Sequence, residues 1–147
     1  MNSIDNLELY TEEFLKLYWP KIQNEIAPKW GLQWFFNGTI PSHDKQGCYA
    51  LLKNDEIVYI GSAISKGSEQ YQNHGLGYRL KNYFRVNKNS PKNTNQYTQT
   101  ENWEGITSIL TIGFPEEHFW LAAALEIYLI KRMNPLRNKN FKPIKVL

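Results

Sequence analysis

The chain has 147 residues, 41% apolar and 14% aromatic, which suits one folded domain with a real core. A mean hydropathy of −0.55 without a long apolar run excludes a transmembrane helix. The acids Asp5 and Glu8 do not fit a signal peptide, and the lone Cys48 excludes an internal disulfide or a Cys-rich zinc site, so a cytoplasmic, intracellular protein is expected. The formal net charge of +3 is uneven, with four lysines against six acids in residues 1–46 and thirteen basic against eight acidic residues beyond; a basic second part suits a polyanion such as nucleic acid.

In chain order, residues 11–27 predict a helix capped by Thr11, with Glu12 and Glu13 at its positive end. Tyr10, Phe14, Leu17, Ile22 and Ile26 form its apolar stripe, and Pro20 kinks or splits it. Residues 30–36 are aromatic and predict an extended segment on the core, followed by turns at Asn37-Gly38 and Pro41. Residues 48–52 and 57–60 are short apolar runs around Asn54-Asp55-Glu56, a strand, turn and strand. Leu76, Leu80 and Phe84 are spaced for a helix over 76–84, and the Asn-, Gln- and Thr-rich residues 87–102 predict a polar loop. Residues 106–112 alternate as a third strand. Pro115-Glu116-Glu117 opens a strongly apolar, central helix to about Met133, stopped by Pro135.

The expected architecture is α+β: a small three-stranded, mainly antiparallel sheet flanked by helices. Residues 1–45 form an N-terminal helical and aromatic extension packing on a single globular unit of residues 46–147.

The chemistry-bearing strings lie at the two ends of the hairpin, Gly47-Cys48-Tyr49 and Tyr59-Ile60-Gly61. They are followed by Gly61-Ser62-Ala63, then by Gly77-Tyr78-Arg79-Leu80-Lys81-Asn82-Tyr83-Phe84-Arg85, and last by Glu126-Ile127-Tyr128-Leu129-Ile130 with Pro135 and Asn138. In this order they resemble the GIY-YIG nuclease family over residues 46–140. They are similar to small restriction-type and homing-type members and to the nuclease domain of the excision-repair incision subunit. Cys48 stands in place of the usual isoleucine as a packing residue. Ser62 stands where repair-type members carry lysine and homing-type members serine.

The resemblance implies a GIY-YIG fold and a metal-dependent DNA endonuclease, either restriction-like or from a mobile element. Glu126 would be the single protein carboxylate on Mg²⁺ or Mn²⁺. Arg79 would bind the scissile phosphate, for which a planar guanidinium is suited. Tyr49 would be the general base with Tyr59 as its partner, little separating the two. A phenol of ordinary pKa about 10 needs nearby positive charge for that role. Tyr83 would border the nucleophile and Asn138 would brace the site. Without the family, Glu126 reads as the partner of Lys131, Arg132 or Arg79 in an ion pair. Lys66, Lys81, Arg85, Arg137 and Lys139 are the expected contacts to double-stranded or branched DNA. A homodimer through the aromatic N-terminal part is a further possibility, although those residues fit better as a cover on the sheet. The alternative to an enzyme is a non-catalytic nucleic-acid-binding module retaining the fold.

Overall fold

The computed structural model describes residues 1–19, 25–64, 75–87 and 96–144. Three antiparallel strands, β1 (Gln46–Lys53), β2 (Glu56–Ala63) and β5 (Ser108–Phe114), form a sheet of order β2-β1-β5. The β1–β2 hairpin turns on Asn54 and Asp55, both left-handed at φ 50° and 67°, residue types that tolerate such a turn. A smaller antiparallel pair, β3 (Phe84–Val86) and β4 (Tyr97–Gln99), and the helices α1 (Ile4–Tyr18), α2 (Leu76–Leu80) and α3 (Trp120–Met133) complete the fold.

β1 is central and buried on both faces, which explains its unbroken apolar sequence. Cys48, Ala50 and Leu52 face a core built with α1 and α3 that includes Leu7, Phe14, Leu125 and Leu129. Tyr49 and Leu51 face a second core with Trp34, Leu76, Leu80, Tyr83 and Phe84. Each fully buried Leu or Ile contributes roughly 1.5–3 kcal/mol, so the sheet is held from both sides.

Several expected boundaries move. The first helix begins at Ile4, because Ser3 caps it by accepting a hydrogen bond from the Asn6 N–H at 3.1 Å. Thr11 is no cap: it is buried inside the helix, donates to the Leu7 carbonyl at 2.7 Å and accepts from Trp30 Nε1 at 2.8 Å. The helix stops at Tyr18, and Trp19 is extended, as a residue before proline prefers. Pro20 and Ile22 lie outside the described residues, and Leu17 and Ile26 are exposed.

α2 ends at Leu80, and Phe84 belongs to a strand. That strand pairs with Tyr97–Gln99, inside the segment expected to be loop. The last helix proper begins at Trp120 after a short 3₁₀ turn, Glu116–His118, and it leaves Trp120 exposed rather than burying every side. It ends on left-handed Asn134, one residue before Pro135. Trp34 extends the sheet by exchanging backbone hydrogen bonds with Ile109, at 2.8 and 2.9 Å. Among the described residues no helix is long and apolar enough to cross a membrane.

Candidate functional site

Strand register decides where the tyrosines meet. Tyr49 lies opposite Gly61 and Leu51 opposite Tyr59, so Tyr49 and Tyr59 are diagonal neighbours on one face. Their ring centroids are 6.3 Å apart. The Tyr49 ring crosses directly over Gly61, and a Cβ there would collide with its phenol. The glycine of the second string is therefore demanded by the tyrosine of the first.

Tyr83 follows the end of α2 and completes the cluster. Its hydroxyl and that of Tyr49 are 2.6 Å apart, a buried hydrogen bond. Trp103 closes the cluster edge-on, 5.2 Å from Tyr59 and 4.8 Å from Tyr83 between ring centroids.

β2 is an edge strand, and Glu126 reaches that edge from α3 on the opposite face of the sheet. The Ser62 hydroxyl donates to Glu126 Oε1 at 3.0 Å. Burial raises the Glu126 carboxyl above the ordinary carboxylate range, while Ser62 and the positive charge of Arg79 pull it back down. Burial likewise pushes the Tyr49 and Tyr83 phenols well above the usual tyrosine value, against a lowering by Arg79. The Arg79 guanidinium thus acts on all three groups.

The segment after α3 runs along the same edge. Asn138 is buried, accepts from the Ile60 N–H at 2.9 Å and donates to the Ile60 carbonyl at 2.8 Å. The Arg137 N–H donates to the Val58 carbonyl at 2.8 Å. Its guanidinium lies 3.9 Å over the Trp103 ring and donates to the Asn102 carbonyl at 2.6 Å. These groups border a groove of about 640 Å³, lined among others by Tyr59, Trp103, Glu126, Arg137, Asn138 and Lys139.

Tyr49, Tyr59, Tyr83, Glu126 and Asn138 therefore gather around β2, and the Arg79 charge lowers the pKa of Tyr49, Tyr83 and Glu126 among them. Of the expected ion-pair partners of Glu126, Arg132 pairs with Glu13 instead, at 3.2 Å, and neither ion pair found among the described residues includes Glu126. Of the expected DNA contacts, Arg137 and Lys139 line this groove, whereas Lys81 and Arg85 line a different one. Lys66 lies outside the described residues. Trp103 and the Ser62–Glu126 bond are the parts that sequence reasoning missed. Trp103 sits in a polar stretch with no periodicity, and Ser62 is 64 residues from the group it holds. Cys48 is a core residue: it is fully buried and its thiol donates to the Ala122 carbonyl at 3.0 Å.

No family model matches this chain, no curated protein matches it, and no solved structure matches it.

Proposed function

We propose that this chain is a GIY-YIG-type endonuclease that hydrolyses DNA phosphodiester bonds with Mg²⁺ or Mn²⁺. One observation carries the reading. Tyrosines from three separate segments and the lone carboxylate of a long apolar helix meet at one edge strand, under the charge of one arginine.

Glu126 fits a cation. It is a half-buried carboxylate with a raised pKa and no ion-pair partner among the described residues, a costly state that a divalent ion relieves. Among those residues no group of three or more His, Cys, Asp or Glu side chains forms a ready cage. A hard ion that keeps most of its waters, held by Glu126 alone, suits this donor set. When bound, such an ion would supply positive charge to the phosphate and to a water.

The chain's own groups supply the rest. Arg79 binds non-bridging phosphate oxygens and offsets their charge. Tyr59, which lines the groove, is the phenol that meets the attacking water. Tyr49, bonded to Tyr83 and 2% exposed, supports the ring of Tyr59 instead of taking the proton. This reverses the order expected from sequence. Asn138 fixes Ile60 and so the strand that carries Tyr59. In its ionised, phenolate form Tyr59 takes a proton from the water as the water oxygen bonds to phosphorus; the bond to the leaving sugar oxygen breaks, and that oxygen takes up a proton from solvent.

Cleavage of plasmid and branched DNA with Mg²⁺ tests the reading. The parent should cut, and Glu126→Ala should bind DNA yet cut at least roughly a thousandfold more slowly. Tyr59→Phe should lose roughly 10²–10⁴ in kcat, the size of a general-base contribution, and Tyr49→Phe clearly less. The opposite ranking returns the base to Tyr49. A parent that binds DNA and never cuts it rejects the enzyme and leaves the non-catalytic nucleic-acid-binding module. The observation favouring that second reading is that Ser62, standing where repair-type members carry lysine, already holds the Glu126 carboxylate with its hydroxyl.

A further inference from the structure

Beyond α3 the chain is fastened to β2 and then becomes a wall of the groove at Glu126. Pro135 is buried, the Arg137 N–H bonds the Val58 carbonyl, and Asn138 holds both backbone groups of Ile60. Phe141 follows directly on this anchored stretch and lines the same groove as Tyr59, Glu126 and Lys139.

Phe141 stands out in its backbone and in its ring. Its backbone is left-handed at φ 59°, an outlier for a bulky side chain. Such strain persists only where the surroundings impose it, and it gathers at sites that hold ligands. The residue is 47% exposed, and no aromatic ring or cation packs on it among the described residues. The other two rings lining the groove are engaged. Tyr59 and Trp103 meet edge to face at 5.2 Å, and the Arg137 guanidinium covers Trp103 at 3.9 Å.

The surroundings of that free ring are polar and basic. Arg137 and Lys139 line the groove against the single carboxylate of Glu126, and Asn102 and Asn140 add exposed amides. A ring for a base, a cation for its phosphate and amides for its edge are what hold an unstacked nucleotide. A groove of about 640 Å³ falls in the size range of small-ligand clefts. A base inside a duplex is already stacked on both faces, and extruding it costs free energy that an unpaired base does not have to spend. Because Asn138 fixes the segment beforehand, the ring loses little freedom on binding.

We propose that Phe141 is a stacking platform for an unpaired base beside the scissile phosphate, with Lys139 on the phosphate of that nucleotide. Resting on the nuclease reading, the platform names the substrate class: duplex DNA carrying an extrahelical base at the cut.

Fluorescence anisotropy without Mg²⁺ tests this with a labelled blunt duplex and the same duplex carrying one central unpaired adenine. The parent should bind the bulged duplex more tightly. Phe141→Ala should weaken that binding roughly tenfold and leave the blunt duplex unchanged, which also shows that the variant is folded. Phe141→Trp, which keeps a flat ring, should bind the bulge like the parent. Phe141→Gly, which keeps the left-handed turn without a ring, should bind it no better than Phe141→Ala. A parent without preference for the bulge, equal losses on both duplexes, no loss, or full bulge binding by Phe141→Gly overturns the proposal. The assay reads binding alone, so the two readings separate. A parent that holds the bulge through Phe141 but never cuts DNA rejects only the nuclease. A parent that cuts with Mg²⁺ while Phe141→Ala binds both duplexes normally rejects only the platform.

Discussion

Glu126 is pulled in two directions, and the balance has measurable consequences. Burial raises its pKa, while the Ser62 hydroxyl and Arg79 lower it. In Ser62→Ala the carboxyl should rise further, so less of it is ionised at any given pH. The acidic limb of the pH–rate profile should then move to higher pH, with activity falling roughly 10–100-fold, the usual effect of losing a ligand's supporting hydrogen bond. Ser62→Thr, which keeps the hydroxyl, should restore both; a profile that does not move in Ser62→Ala would separate the serine from the carboxylate. Stability should respond with the opposite preference. With its pKa raised on folding, the native state binds a proton that the unfolded chain has released, so this contribution is present at low pH and lost as pH rises through the raised value. Glu126→Gln should therefore raise Tm at neutral pH and lose that advantage in acid, as calorimetry at the two pH values can check. A site that costs stability is common where function demands it. From sequence, Ser62 reads as a position of lysine in repair-type members and serine in homing-type ones, with nothing to tie it to Glu126, because strand register and helix packing create that bond.

At the scale of elements, legibility followed chain distance. The β1–β2 hairpin was plain because each strand is a short apolar run and the turn residues between them tolerate left-handed backbone. α3 was plain because its apolar residues repeat at helical spacing. The start of α1 was not, since its buried stripe, Leu7, Thr11, Phe14 and Leu15, contains a threonine that only the distant Trp30 makes acceptable in a core. β3 and β4 were hidden because each has three residues, too few for a period to show. The edge of β2 poses a separate problem. An unpaired edge invites association with other strands, and the 137–138 segment covers it by bonding Val58 and both backbone groups of Ile60. Asn138→Ala would leave those two buried groups unsatisfied, at about 2–4 kcal/mol, or roughly 6–12 °C in Tm. Asn138→Asp keeps the acceptor for the Ile60 N–H but sets a carboxylate oxygen against the Ile60 carbonyl, so it should also lose stability. Thermal melts in which both variants match the parent would remove the brace from Asn138.

Over the whole molecule the net charge of +3 says less than its placement. Arg137 and Lys139 border the groove at Glu126, and Lys81 and Arg85 a second groove beside α2. The basic excess of the second part of the chain was readable from composition, but its division between two grooves depends on how α2 and the segment after α3 pack. Arg137 and Lys139 also differ from each other. Lys139 is an exposed charge, so Lys139→Ala should lower the salt slope of duplex binding by roughly 0.9, one phosphate contact, and raise KM with kcat unchanged. Arg137 has a second attachment: its guanidinium lies on Trp103, which packs against Tyr59 and Tyr83. Losing a cation–π contact of about 0.5–2 kcal/mol frees that ring, and through it the phenol proposed to meet the water. Arg137→Ala should therefore lower the salt slope by the same amount and also reduce kcat. Arg137→Lys separates the two effects, because lysine keeps the charge but not the planar stacking surface. Its salt slope should match the parent while kcat stays low. If Arg137→Lys recovers full kcat, the residue acts through charge alone and Trp103 does not depend on it.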